Sequence, residues 1–258
     1  MEKRPSQSEL DIELPDAPPQ RPGLPLIIIL LVLISLIVLL ASLVLPSPQS
    51  DQFVYALGVV PARLINSDAG GLLSSLGQMS TLVSHLFVHA GWGHFFLNSL
   101  WLVVFGPPVA ARLRWGSDEQ GRGAGGITSY IPFLSFYFST GIAASIIFIL
   151  LHLSSPIVLI GASGALSAVM GAAMRLNIMP GRLPEGPLLP LTHKRFLLFS
   201  GIFIAMNLVL LTPFAGVFYN EGEAQSISWE VHIAGYVFGA LSMPFFDRLA
   251  NRRRVAPY

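Results

Sequence analysis

Residues 26–45 read LIIILLVLISLIVLLASLVL, an apolar run in which Ser35 and Ser42 are the only polar members. About 20 such residues are what a helix needs to cross the hydrocarbon core of a bilayer. A helix also satisfies its own backbone hydrogen bonds where no water can do so. The run is too long for a signal-peptide core, and no small-residue cleavage site follows it. Composition points the same way: 53% of the 258 residues are hydrophobic and 11% are charged, against roughly 25% charged in a soluble domain. The chain has no cysteine, which excludes disulfides, thiolate zinc sites, a cysteine nucleophile and cysteine lipidation. A formal net charge of +1 carries no signal for a polyanionic partner, so no nucleic acid is expected.

Five further apolar segments are predicted to cross after the first: 91–111, 127–151, a short fourth at 161–175, 195–212 and 229–246. The loops 112–126, 154–160, 177–194 and 213–228 carry glycine, proline and charge. Residues 46–81 contain Asp51, Arg63 and Asp68. They are too polar to span and too apolar for a linker, and read as a partly embedded loop. Residues 1–23 are polar, acidic and proline-rich, and cannot bury enough apolar surface to offset their ordering entropy. The expected organisation is a disordered cytoplasmic tail over 1–23, an all-α six-helix membrane domain over 24–248, and a basic cytoplasmic tail over 249–258. No internal repeat is visible, which argues against a transporter built from repeated halves.

Charge orients this bundle. Fourteen of the fifteen Lys and Arg residues lie in or beside the N-terminal tail, the second–third loop, the fourth–fifth loop and the C-terminal tail; Arg63 alone lies across. Six spans put those four segments in one compartment, so the positive-inside rule places both termini in the cytoplasm. Spans two, four and six then run from outside to inside. Their outer ends carry His94 and Asn98, Ser163, and His232. Residues far apart in the chain are thereby brought to a common depth near the outer face.

Each of these residues has a chemical use. Gly161-Ala162-Ser163-Gly164 sets a hydroxyl between glycines at membrane depth. Trp229-Glu230-Val231-His232-Ile233-Ala234-Gly235 supplies a lone imidazole. Ionisable side chains in hydrocarbon cost about 2.5–3.5 kcal/mol on insertion scales, so they mark functional sites. A serine becomes a nucleophile when an adjacent base takes its proton, and histidine titrates in the right range. Gly161 and Gly164 permit a tight approach of backbone, and the amides at that helix start can face a developing oxyanion. His94 and Asn98, four apart, share a helical face and can both donate to it. Gly235 and Gly239 continue the strip below His232, a pattern that lets helices pack closely, here spans four and six.

Blander readings compete. The GxSG pattern alone occurs in many turns, and a lone membrane histidine is often a hydrogen-bonded structural residue. His85, His89 and His94 have the i,i+4 spacing of metal ligands, but no HExxH accompanies them and carboxylates are scarce at that depth. No metal and no cofactor are therefore expected. His85 and His89 read instead as ties between the preceding loop and the second span. Glu230, two residues before His232, points away from it on a helix and is expected to face outer-side water. His152 and His193 lie at span ends and read as interfacial.

Taken together, the motifs resemble those of the rhomboid family of intramembrane serine proteases. The matching pieces are Ser84-His85-Leu86-Phe87-Val88-His89-Ala90-Gly91-Trp92-Gly93-His94-Phe95-Phe96-Leu97-Asn98, then Gly161 to Ala165, then His232-Ile233-Ala234-Gly235 with Gly239. Tyr137 to Gly141 and Val60-Pro61-Ala62 fit as well, so the likeness runs from about residue 25 to 248. The resemblance implies a rhomboid-like bundle of six transmembrane helices and a Ser–His dyad without an aspartate. Ser163 would attack the scissile carbonyl, with His232 as base and then acid. His94, Asn98 and the backbone N–H of Ser163 would hold the oxyanion. It implies substrates that are single-pass membrane proteins within the lipid bilayer, reached through a lateral gate at the fifth helix and 213–228. The implied setting is a multi-pass protein of a bacterial inner (cell) membrane.

Two positions depart from the pattern. Ala110 stands where relatives often carry a glutamate, which would loosen a tie at the cytoplasmic end. Ser167 stands where many have an aromatic ring stacked on the histidine, so the base would be held by Ser167 or a water. A rhomboid-like pseudoprotease that binds clients without cutting them is the alternative; retention of both serine and histidine argues against it.

Overall fold

The computed structural model describes residues 24–65, 71–115, 126–176, 186–209 and 228–251. Nine α-helices are seen among them: α1 (Leu26–Val44), α2 (Gln49–Leu57), α3 (Pro61–Ile65), α4 (Gly71–Ser84), α5 (Trp92–Arg112), α6 (Ile131–Leu151), α7 (Ser163–Met174), α8 (Lys194–Val209) and α9 (Trp229–Asn251). Short 3₁₀ turns at His85–Phe87 and Ile127–Tyr130 precede α5 and α6. The all-α expectation holds among the described residues, where the only β pairing is an isolated bridge between Val59 and Leu159. The expected tails at 1–23 and 252–258 lie outside the described residues, whereas 249–251 continue α9.

Each of the six expected spans has a helix: α1, α5, α6, α7, α8 and α9. Three of these segments, Leu26–Val44, Trp92–Arg112 and Ile127–Leu151, are long and apolar enough by themselves to cross a membrane. With 12 residues, α7 rises about 18 Å, short of a hydrocarbon core about 30 Å thick. What precedes it is irregular chain that ends in a turn, with Leu159, Gly161 and Ala162 buried, and non-helical backbone at membrane depth is tolerated where protein covers it. The segment 46–81 is more ordered than the loop expected of it. Its described parts fold into α2, α3 and α4, with Asp51 in the first turn of α2 and Pro61 opening α3, positions that the helix dipole and proline's missing N–H favour. Arg63 fastens it, donating to the carbonyls of Tyr55 (2.7 Å) and Gly58 (2.8 Å).

The core is centred on α7, whose small residues Gly164, Ala165, Ala168, Val169, Gly171 and Ala172 are all buried. It packs against α5, α6 and α9. The closest seam is with α9. A Cβ on Gly235 would strike the carbonyl of Gly164, one on Gly239 the carbonyl of Ala168, and one on Gly171 the carbonyl of Tyr236. Backbone lies directly on backbone, as the glycine strip foretells. The register advances four residues on both helices together, so α7 and α9 run parallel. The same use of glycine seats α1: a Cβ on Gly106 would lie 2.7 Å from Ile28 Cδ1.

Polar side chains lock the far end. Pro244 lies inside α9 and has no N–H to give the carbonyl four residues back, Ala240. Arg175, at the C-cap of α7, donates to that carbonyl through Nη1 at 2.9 Å. Ala110 is fully buried in the core, and the tie between α5 and α9 is made nearby by a two-pronged pair. Arg112 Nε meets Asp247 Oδ1 at 2.6 Å and Arg112 Nη2 meets Oδ2 at 2.9 Å.

The seam makes a clean stability test. Gly239→Ala should lower the melting temperature of the detergent-purified protein, by the about 1–3 kcal/mol that overpacking costs, because backbone cannot move aside as a side chain can. Gly201→Ala, on α8 with nothing within 4 Å of the added carbon, should leave it unchanged or raise it. Equal melting temperatures for the two variants would mean that the seam is not tight.

Candidate active site

Ser163 opens α7, and its position is fixed from the turn before it. Gly161 has φ +106°, a conformation that glycine adopts readily and side-chain-bearing residues avoid. A Cβ there would also lie 2.7 Å from His94 Nε2, so the glycine is needed twice over. Its N–H donates to the His85 carbonyl at 2.9 Å. Two residues earlier, Leu159 and Val59 exchange hydrogen bonds of 3.0 and 2.8 Å, and Ala62 N–H donates to Ser155 O at 3.0 Å. The chain before the serine is thus stitched to the first loop. The first bond of the α7 ladder runs from Leu166 N–H to Ala162 O, 2.9 Å. The amides of Ser163, Gly164 and Ala165 precede that ladder, as the first N–H groups of any helix do.

His232 lies one turn into α9, beside the α7 start. A Cβ on Gly164 would meet Val231 Cγ1 at 2.7 Å, and Gly235 lies against the Gly164 carbonyl. The residues following Ser163 and flanking His232 are therefore in contact, and Ser163 and His232 are both half-buried. Nδ1 of His232 is 2.9 Å from Asn207 Oδ1 of α8.

His94 and Asn98 share a face of α5 as their spacing requires. Asn98 is buried and donates through Nδ2 to the His94 carbonyl at 2.9 Å. The Ala90 N–H approaches His94 Nδ1 at 3.4 Å, which makes Nδ1 the acceptor and assigns the ring proton of the neutral form to Nε2. That nitrogen is the one turned to the Gly161 turn. His94 also lies within electrostatic range of His232. Of the four side chains picked out by sequence, Ser163 opens α7 and His94 meets the Gly161 turn just before it. His232 lies on the stretch of α9 that packs against Gly164, while Asn98 lies one turn beyond His94 on α5.

The other histidines are structural, with one difference from expectation. His85 anchors its own segment, Nδ1 to Thr81 O at 2.8 Å, and reaches the Gly161 turn through its carbonyl. His89 reaches α5 by ring contacts, edge to face with Phe95 at 5.7 Å and with His94 at 5.0 Å. Its Nδ1 lies 3.2 Å from Phe87 O and its Nε2 is buried without a hydrogen bond. Burial lowers both rings to a pKa of about 4, so both are neutral at physiological pH. Glu230 does point away from His232, but it does not face water. Oε1 lies 2.8 Å from His152 Nε2 at the end of α6, which is cheaper for a carboxylate near hydrocarbon than standing alone. His193 precedes α8 and accepts from Arg195 N–H at 3.2 Å.

Ser167 is buried within α7; the side chain that reaches His232 is Asn207, from another helix. Asn207 is not among the candidates the sequence singles out. The signal was there: it is an amide inside the apolar segment 195–212, and polar groups at that depth are seldom idle. The segment 213–228, the other part of the expected gate, lies within or beside residues outside the description.

Comparison with known families agrees with this arrangement. The family model described as Rhomboid domain matches residues 76–247, while no curated protein matches the chain. That match takes in most of α4 and every helix from α5 to α9, including the start of α7 with its glycine turn and the α9 face that meets it. The chain belongs to the rhomboid family, as an integral membrane protein.

Proposed function

We propose that the protein is an intramembrane serine endopeptidase that hydrolyses peptide bonds in or beside the transmembrane helices of membrane-protein substrates. The observation that carries this reading is the contact of Gly164 with Val231 and Gly235. It supports a pairing of the serine at the start of one helix with the imidazole on another, and among the described residues no aspartate is hydrogen-bonded to that imidazole. Asn207 occupies Nδ1 of His232, so Nε2 is the nitrogen left to take the proton from Ser163 Oγ. Attack of Oγ on the scissile carbonyl forms the C–O bond and moves the carbonyl π electrons onto oxygen. The Ser163 amide, His94 Nε2–H and the second N–H of Asn98 Nδ2 are the donors for that charge, which appears only in the transition state and intermediate. The intermediate collapses as His232 returns the proton to the leaving amine. A water then repeats the sequence on the acyl-enzyme, with His232 again as base, releasing the carboxylic acid and restoring Ser163. The short α7 and the buried irregular chain before it support placing this chemistry below a membrane surface.

The distribution of lysine and arginine supports both termini in the cytoplasm and the Ser163 end of α7 toward the outer face. The parallel run of α7 and α9 is what that six-span topology requires. Domain limits of 24–248 for the proteolytic core follow the same reading.

The dyad is tested directly. Ser163→Ala and His232→Ala should each abolish cleavage of a transmembrane reporter and labelling by a fluorophosphonate probe, with melting temperature retained. The two losses should not add in the double variant, because the residues act as one unit. A wild-type protein that binds reporter, never cuts it and never labels would instead be a client-binding pseudoprotease.

Asn98→Ala should lower kcat about 10²–10³-fold with KM little changed, since an oxyanion donor acts on charge absent from the bound substrate. A variant that melts early but turns over normally per folded molecule would assign Asn98 to helix packing alone.

Topology is accessible because the chain has no native cysteine. In intact cells an impermeant thiol reagent should label Gln225→Cys and spare Gly121→Cys. The reverse pattern would invert the bundle and move the site to the other face.

A further inference from the structure

Helix α8 touches the rest of the molecule along one stripe. Phe196, Phe203 and Asn207 are buried, while Leu197, Leu198, Phe199, Ile202, Ile204, Met206 and Leu208 are exposed, as lipid-facing side chains would be. Four contacts on that stripe go to α9: Phe196 against the Tyr236 ring at 6.3 Å, Ser200 Oγ to the Tyr236 hydroxyl at 2.9 Å, Phe203 stacked on the Tyr236 ring at 4.4 Å, and Asn207 Oδ1 to His232 Nδ1 at 2.9 Å. Asn207 is itself fixed, because its Nδ2 donates to the Phe203 carbonyl at 2.9 Å. That bond settles which end of the amide faces the histidine: the Phe203 carbonyl can only accept, so the NH₂ must face it and the carbonyl oxygen points at the ring. An oxygen that can only accept requires a proton on Nδ1.

We infer that Asn207 is the positioning residue for the catalytic base. Accepting from Nδ1–H, it holds His232 in the tautomer whose Nε2 lone pair is free for Ser163, in the place that an aspartate fills in a three-membered triad. This inference rests on the proteolytic reading of the site. A neutral amide does the work of orientation without bringing a second charge into the bilayer, where an unpaired carboxylate is costly. Among the described residues, Asn207 is the hydrogen-bond partner of Nδ1. Among ionisable groups, His94 on α5 is within electrostatic range of His232, Glu230 is committed to His152, and the described α7 residues that meet α9 are glycine, alanine and serine without charge.

The test uses two substitutions in the full-length protein. Asn207→Leu keeps the branched shape and suits an apolar helix, but removes the acceptor. Asn207→Asp keeps an oxygen where the amide oxygen was. Protein labelled with [¹⁵N]histidine reports the tautomer, with the His232 signals identified by their loss in His232→Gln. Wild type should show a protonated Nδ1 and an unprotonated Nε2. Asn207→Leu should lose that pattern and lower kcat about ten-fold, the scale of one net hydrogen bond, with KM and melting temperature held; Asn207→Asp should restore the tautomer. A leucine variant that keeps both the wild-type tautomer and the wild-type kcat would overturn the inference. A wild type that shows the expected tautomer yet neither labels with fluorophosphonate nor cleaves would overturn the proteolytic reading and leave the tautomer assignment standing.

Discussion

The fold depends on the backbone-to-backbone contact of α7 with α9. Hydrophobic attraction gives little help inside a bilayer, because lipid tails are as apolar as leucine; association there rests on close packing and polar contacts. Gly235 against Gly164, Gly239 against Ala168 and Gly171 against Tyr236 bring two helices to the distance at which carbonyls meet Cα atoms. Ser163 and His232 are carried on those helices at the upper end of the seam. Their relation is therefore fixed by the least compressible part of the molecule, and no side-chain packing has to be tuned to achieve it.

The rest of the structure supports the two ends of that seam. At the site end, the bridge between Val59 and Leu159 and the bond from Gly161 to His85 hold the turn that delivers Ser163. The loop ahead of α5 is thereby part of the framework that holds Ser163 and not a lid laid over it. At the far end, Arg175 spans from the last turn of α7 to the Ala240 carbonyl that Pro244 leaves without a partner. A buried guanidinium is justified there by a specific vacancy in the α9 ladder. Arg112 and Asp247 add a two-pronged link from α5, close in sequence to the buried Ala110.

Much of this was legible in the sequence because glycine and charge are scarce signals in an apolar chain. The run at 26–45, the GxSG pattern, the His94–Asn98 spacing and the Gly235–Gly239 strip each have one dominant physical use at membrane depth, and the helices carrying them fall within a few residues of expectation. What was not legible depends on pairings between segments. Glu230 looked like a water-facing carboxylate because its partner, His152, is on α6 and nothing local announces it. The segment 46–81 looked like a loop because its helices are short and mixed in polarity, and are held by tertiary bonds such as those of Arg63. Asn207 was missed for the opposite reason: a single amide in a long apolar helix is a strong signal, but its meaning appears only with His232 beside it.

The replacement at Ser167 and the presence of Asn207 belong together in physical terms. An imidazole in a membrane needs one face or one nitrogen restrained if it is to serve as a base repeatedly. A ring stacked from α7 would restrain the face and would come from the same rigid seam that carries Ser163. Here the restraint acts on Nδ1 and comes from α8, which buries only Phe196, Phe203 and Asn207 along its length. Ser163 is thus carried on the tightest contact in the molecule, while His232 is steadied by a looser one. In that arrangement, displacement of α8 by even the length of a hydrogen bond would break the contact of Asn207 with His232 without moving Ser163, so on the proteolytic reading the state of the base follows the seating of α8 more closely than the integrity of the core.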